Sequence, residues 1–177
     1  MALRTPLLLL LGVLLAGLGL AGCTRDTNLA GETGTVAEVV DGDTLRLTDG
    51  RRVRLVQIDA PEVDERECYG ADATAALVRL APAGTEVTLV RDPVLDGTDR
   101  FDRLLRYVFA GGRNMNVELV SEGAAAPYFF GGGRGRYSAR LLAAAEEARE
   151  DGAGLWGACP GAALDPERAL DAGPELL

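Results

Sequence analysis

Residues 38–62 read EVVDGDTLRLTDGRRVRLVQIDAPE, two acidic knots, VVDGDT and IDAPE, joined by alternating apolar and polar residues with Asp49-Gly50 at the centre. Asp-Gly between two alternating runs is the strongest short hairpin signal, because the turn that suits paired strands needs positive φ at its central residues. TLRLT and RRVRLVQI are therefore expected as antiparallel neighbours, and TVAEVV before them as the first strand of a meander. Asp43 begins the second strand and Asp59 ends the third, so antiparallel pairing brings both to one end of the ribbon. Carboxylates placed together repel unless something positive sits between them, and a hard divalent cation with oxygen ligands, calcium or magnesium, is the expected answer.

Downstream of this ribbon, Gly70 to Leu80 (GADATAALVRL) has helical spacing and is closed by Pro82 and Gly84 before another strand, TEVTLV. DRFDRLLRYVFAGG returns as a strand with Leu105, Tyr107 and Phe109 on one face. Asn116 to Glu122 is expected as a short helix closed by Gly123. Tyr137 to Asp151 is the clearest amphipathic helix, with Leu141, Leu142, Ala145 and Ala148 toward the core. Five short strands with a helix between the third and fourth is the order of an OB-fold barrel, α+β and mainly β, with two further helices outside it.

The 177 residues have room for one such domain, expected over residues 34–160. Before it, Met1–Gly22 has a basic Arg4, an apolar run and small residues, the layout of a secretory signal. Its end, Leu20-Ala21-Gly22-Cys23, resembles the lipobox of bacterial lipoproteins, which makes Cys23 the lipidation site. The other reading, a membrane-spanning helix, is opposed by the shortness of the run from Pro6 to Gly22. The chain is thus expected to be exported and lipid-anchored on the extracytoplasmic face of a bacterial membrane, with secretion as the alternative. Residues 23–33 form a flexible tether and residues 161–177 an acidic, loosely ordered tail. In such a compartment Cys68 and Cys159 are expected to pair, the alternative being two buried thiols.

Composition narrows the chemistry. With no histidine, imidazole catalysis is excluded, and two widely separated cysteines do not make a zinc site. An EF-hand starting at Asp41 fails, because its fifth, sixth and twelfth positions are Leu45, Arg46 and Arg52. Acids outnumber bases 27 to 18, so affinity for a polyanion must be local rather than a property of the whole surface. Arg134, Arg136 and Arg140, after three glycines, offer one local patch, or simply a solvated loop. Arg54 and Arg103 add guanidinium forks, which match phosphate oxygens and stabilise charge that builds in phosphoryl transfer. Acids, a cation and arginines describe phosphodiester hydrolysis; a glycosidase carboxylate pair remains possible but lacks an aromatic sugar platform.

The ordered set VVDGDTLRL, RLVQIDAPE, YGADATA, DRFDRLLRYVF, NVELVSEGAA and GLWG closely resembles the staphylococcal nuclease (thermonuclease) family over roughly Gly34 to Gly157. The resemblance implies an OB-fold barrel with one calcium ion held by Asp43, Asp59 and the backbone carbonyl of Ala60. It implies Glu62 as the base that activates or orients water, and Arg54 and Arg103 as the phosphate-binding arginines. Tyr128 matches a substrate-stacking tyrosine, Phe130 replaces a second, and Arg100 falls among the substrate contacts. Ala60 stands where the best-known member has threonine, which a backbone contact tolerates, and Phe101 lacks the hydroxyl of a tyrosine often found there. The implied reaction is endonucleolytic cleavage of DNA and RNA leaving 3′-phosphate ends, by a monomer with no obligate protein partner. The competing class is a tethered OB-fold module that binds nucleic acid or protein without cutting.

Overall fold

Alternating apolar residues build consecutive antiparallel strands β1 (Glu32–Val39), β2 (Thr44–Leu47) and β3 (Arg52–Leu55) in the computed structural model, which describes residues 30–174. β2 and β3 pair Thr44 with Arg54, Leu45 with Val53 and Arg46 with Arg52. The hairpin between them turns at Gly50, whose φ of 87° costs a residue without Cβ nothing. Leu45, Leu47, Val53 and Leu55 are buried while Arg46 and Arg52 face solvent, as a strand period of two requires.

A turn with Gln57 at φ 64° leads from β3 into the two-residue β4 (Ile58–Asp59). Helix α1 (Gly70–Leu80) then crosses to β5 (Glu86–Val90), which pairs with the first half of β1 through Glu32 opposite Leu89 and Thr35 opposite Glu86. The second half of β1 pairs with β2, and the register shifts between Val36 and Glu38. A bulge there bends one strand between two partners, which is how a small sheet curls. β6 (Leu104–Ala110) pairs antiparallel with β5 and parallel with β3, so the order β3-β2-β1-β5-β6 closes on itself. The result is the expected five-stranded barrel, a closed sheet with no long free edge.

β7 (Arg113–Asn114) extends β6, and α2 (Met115–Ser121) follows, capped by the Asn114 side chain, which accepts the Val117 N–H. β8 (Ala126–Pro127) pairs with β4, and α3 (Ser138–Glu150) and the one-turn α4 (Leu155–Ala158) complete the chain. Leu141, Ala145 and Ala148 of α3 are buried as their spacing predicts, with Leu142 only partly so. The single buried face expected for β6 is too simple, since Arg106, Tyr107, Val108 and Phe109 are all buried. One face looks into the barrel and the other is covered from outside, where Asn116 of α2 accepts the Val108 N–H and donates to the Val56 carbonyl. Buried Arg106 donates to the carbonyls of Gly97 and Leu105 and to Glu32.

Cys68 and Cys159 are joined in a disulfide with their Cα atoms 5.9 Å apart, tying the loop after β4 to the end of α4. A small second cluster of Leu155, Ala172, Trp156 and Leu170 gathers around it. Two limits expected for the domain differ. Thr33, assigned to the tether, already pairs with Thr88, and residues 161–174, expected as a loosely ordered tail, run along the body with Ala172 buried. Backbone hydrogen bonds made at a distance, invisible to local composition, cause both differences. The signal-like Met1–Gly22, Cys23 and the tether as far as residue 29 lie outside the described residues.

Candidate active site

Gly42, Asp43, Arg54, Asp59 and Ala60 meet where the β1–β2 turn faces the end of β4. A Cβ on Gly42 would lie 2.6 Å from the Ala60 Cβ and 3.0 Å from that of Ala73, so only glycine lets this turn settle against α1. The close approach carries Asp43 inward, to 1% exposure, where its Oδ2 accepts the Ala60 N–H at 3.0 Å and its Oδ1 accepts the Thr44 hydroxyl at 3.1 Å.

The two carboxylates converge as their register predicts, and the positive group between them is Arg54. Its Nη2 lies 2.9 Å from Asp43 Oδ2 and 2.6 Å from Asp59 Oδ1, while Nη1 donates to the carbonyls of Leu55 and Ile58. Strand pairing places Arg54 directly opposite Thr44, beside Asp43. Arg54, expected at the site as a phosphate-binding group, thus also serves as counter-ion to both acids.

One arginine does not neutralise the site. Burial pushes the Asp43 carboxyl up to about 8 despite Arg54, with Asp41 and Asp59 adding to the rise. Asp59 and Glu62 are also raised, in both cases chiefly by burial. The two carboxylates outnumber the one guanidinium between them, and the available donors, the Asp43 and Asp59 carboxylates and the Ala60 carbonyl, are the hard oxygens that calcium takes. The donor chemistry fits such an ion, although no three acidic side chains among the described residues are gathered into a ready-made metal cluster.

Glu62 follows Pro61, half-buried, on a loop held by its own backbone: the Glu62 N–H donates to Glu67 Oε2 at 2.7 Å and its carbonyl accepts the Glu67 N–H. Arg103 joins from the other side. Its Nε donates to Asp99 Oδ2 at 2.7 Å, and its Nη1 lies 3.5 Å from the Thr44 hydroxyl that donates to Asp43. Arg100 and Arg103 lie over the Phe101 ring, 4.7 and 5.4 Å from its centroid, and Arg52 donates to the Phe101 carbonyl.

β8 pairs with β4, placing Ala126 opposite Asp59, and the Tyr128 N–H donates to the Gln57 carbonyl, so the backbone leading into the aromatic pair runs beside β4. Tyr128 and Phe130 meet edge to face, centroids 6.3 Å apart, and Phe130 is 79% exposed. Phe129 between them is the core residue of the three, with Arg134 stacked 4.2 Å from its centroid. The arginine patch is largely spoken for: Arg134 pairs with Glu167 and Arg136 with Asp92, while Arg140 is exposed on α3.

Sequence reading missed three contributors. Asp99, four residues before Arg103, had a visible signal in the DRFDR spacing. Gln57 had none: its side chain accepts from Tyr107 and Gly135 and donates to Gly133, fastening the turn before β4 to the glycine loop. Leu170, whose N–H donates to Asp59 Oδ2 at 2.8 Å, comes from the tail.

A protein-family profile described as Staphylococcal nuclease homologue matches residues 52–158. The chain is 35% identical over 153 residues to an uncharacterized endonuclease of Haemophilus influenzae, covering 84% of this chain and 78% of that one. It is 30% identical over 138 residues to the thermonuclease of Staphylococcus intermedius, covering 73% and 79%. Protein ParB of Escherichia coli is 34% identical over 135 residues, covering 70% and 71%.

Proposed function

The chain belongs to the staphylococcal nuclease homologue family and is a hydrolase of the nuclease class; from that premise we propose a calcium-dependent extracytoplasmic endonuclease acting on DNA and RNA to leave 3′-phosphate ends. The observation that carries this reading is the convergence of Asp43, Arg54 and Asp59 in a buried, net-negative cluster beside a half-buried Glu62.

Asp43, Asp59 and the Ala60 carbonyl would hold the ion, which supplies positive charge to polarise the phosphoryl group. Glu62 accepts a proton from the attacking water at a carboxylate oxygen, a role suited by a pKa raised through burial. The new P–O bond forms as the bond to the 5′-oxygen breaks, and that oxygen leaves with a proton from solvent. Arg54 and Arg103 donate to the phosphoryl oxygens on which charge builds, and Asp99 holds the Arg103 fork in place beforehand. Tyr128 and Phe130 offer ring faces on which unpaired bases stack irrespective of sequence, with Arg100 beside the strand. The folded domain would act outside the cytoplasm, anchored through Cys23 or released after export, a reading supported by the signal-like Met1–Gly22.

The test is cleavage of single-stranded DNA by the purified protein with calcium, with magnesium and with chelator, beside Glu62→Gln. Cleavage in calcium that stops with chelator and falls about 100-fold or more in the Gln variant is expected. A folded protein that cuts in neither metal but binds DNA in a salt-dependent way moves the assignment to a binding module.

A further inference from the structure

After α4 the chain runs back to the candidate site, with backbone contacts to Phe129, Asp59 and Cys68. The Pro166 carbonyl accepts the Phe129 N–H at 2.7 Å, at the residue that separates Tyr128 from Phe130 in the chain. Four residues later Leu170 N–H reaches Asp59 Oδ2, and the Gly173 carbonyl accepts the Cys68 N–H at 2.8 Å. Ala172, buried against the disulfide cluster, and the Glu167–Arg134 ion pair fasten the segment at both ends.

The Leu170 contact bears directly on the chemistry. Asp59 Oδ1 faces Arg54 at 2.6 Å, so its carboxylate has one donor on each oxygen, and the second comes from 111 residues downstream. Carboxylates that hold a metal through one oxygen are oriented by an outer donor on the other, and loss of such a donor costs about 10- to 100-fold in metal affinity.

We infer that the backbone N–H of Leu170 is a positioning group for the cation site: residues 166–173 form a strap that orients Asp59, so the site is completed by a segment that follows the last helix. The inference rests on Asp59 being a cation ligand, as proposed above. It differs from a covering role, because the contact is a single directed donor on the ligand itself.

The experiment is calcium titration by calorimetry, together with the calcium-dependent rise in Tm, for the wild type, Leu170→Pro and Leu170→Ala. Proline has no N–H to donate, whereas alanine keeps it and loses only side-chain packing. Calcium affinity is expected to fall about tenfold or more in Leu170→Pro and to stay within about threefold in Leu170→Ala. A chain ended after Arg168 keeps the Pro166 and Glu167 contacts and is expected to match Leu170→Pro; it decides the matter if the proline variant does not fold. Wild-type calcium affinity in both N–H-less proteins, or equal loss in the proline and alanine variants, overturns the inference. If the wild type binds calcium and cuts DNA while the N–H-less variants do so equally well, the strap fails and the nuclease assignment stands. A folded wild type that neither binds calcium nor cuts overturns both.

Discussion

Arg54 is the residue on which the site turns, because it is both counter-ion to Asp43 and Asp59 and the guanidinium proposed to meet the phosphate. Arg54→Met leaves buried Asp43 and half-buried Asp59 without their partner, and breaking a buried pair from one side typically costs about 3 kcal/mol. Urea denaturation is expected to show that loss in calcium-free protein, with turnover down about 100-fold or more in calcium. Tyr107 gives the pH dependence. Burial, with Asp92 adding, holds its phenol above the ordinary value, so above about pH 10 the unfolded chain sheds a proton that the folded chain keeps. Stability is therefore fully present below that pH and falls as pH rises beyond it. Tyr107→Phe is expected to flatten this alkaline limb, read from Tm between pH 8 and 11, while costing about 1 kcal/mol at neutral pH for the bond to Gln57. At this scale the sequence was informative about which charged side chains gather, as for Asp43 and Asp59. It was silent on Gln57, whose importance lies in partners 50 to 78 positions away.

Among the elements, the β1–β2 turn is where local sequence and packing agree most closely. Gly42→Ala is expected to destabilise by about 1–3 kcal/mol, since its methyl must displace Ala60 or α1. The same variant should lower calcium-dependent cleavage, because Asp43 moves with the turn; unchanged Tm and activity together would show that the approach is slack. The β2–β3 hairpin was legible because Asp49-Gly50 and a period of two specify turn and register together. Helix α2 begins one residue earlier than its apolar pattern suggests, since Asn114 supplies the cap and Met115 the first turn. β6 hid its second buried face because periodicity reports one covering layer, and this strand has two.

For the whole molecule, the disulfide and the strap hold together what the barrel alone leaves apart. The bridge spans 91 positions and is worth about 4 kcal/mol in the chain-entropy model, so Cys159→Ser is expected to lower stability by that order in denaturant melts under oxidising conditions. Reductant should do the same to the wild type and leave the variant unmoved. By itself the sequence determined the barrel and its helix order, because hydrophobic period and turn chemistry are local properties of the chain, and its ordered motifs carried the family. Tertiary structure alone decided that Arg54 stands between the acids, that the arginines of the glycine loop are paired, and that the tail runs back to Asp59. The physical reason is that Arg134 with Glu167 and Leu170 with Asp59 join groups 33 and 111 positions apart, while Arg54, only 5 residues from Asp59, meets Asp43 as well through the pairing of β2 with β3 and the turn into β4. No composition or periodicity encodes such a contact; it exists only once the barrel has closed and brought the two ends together.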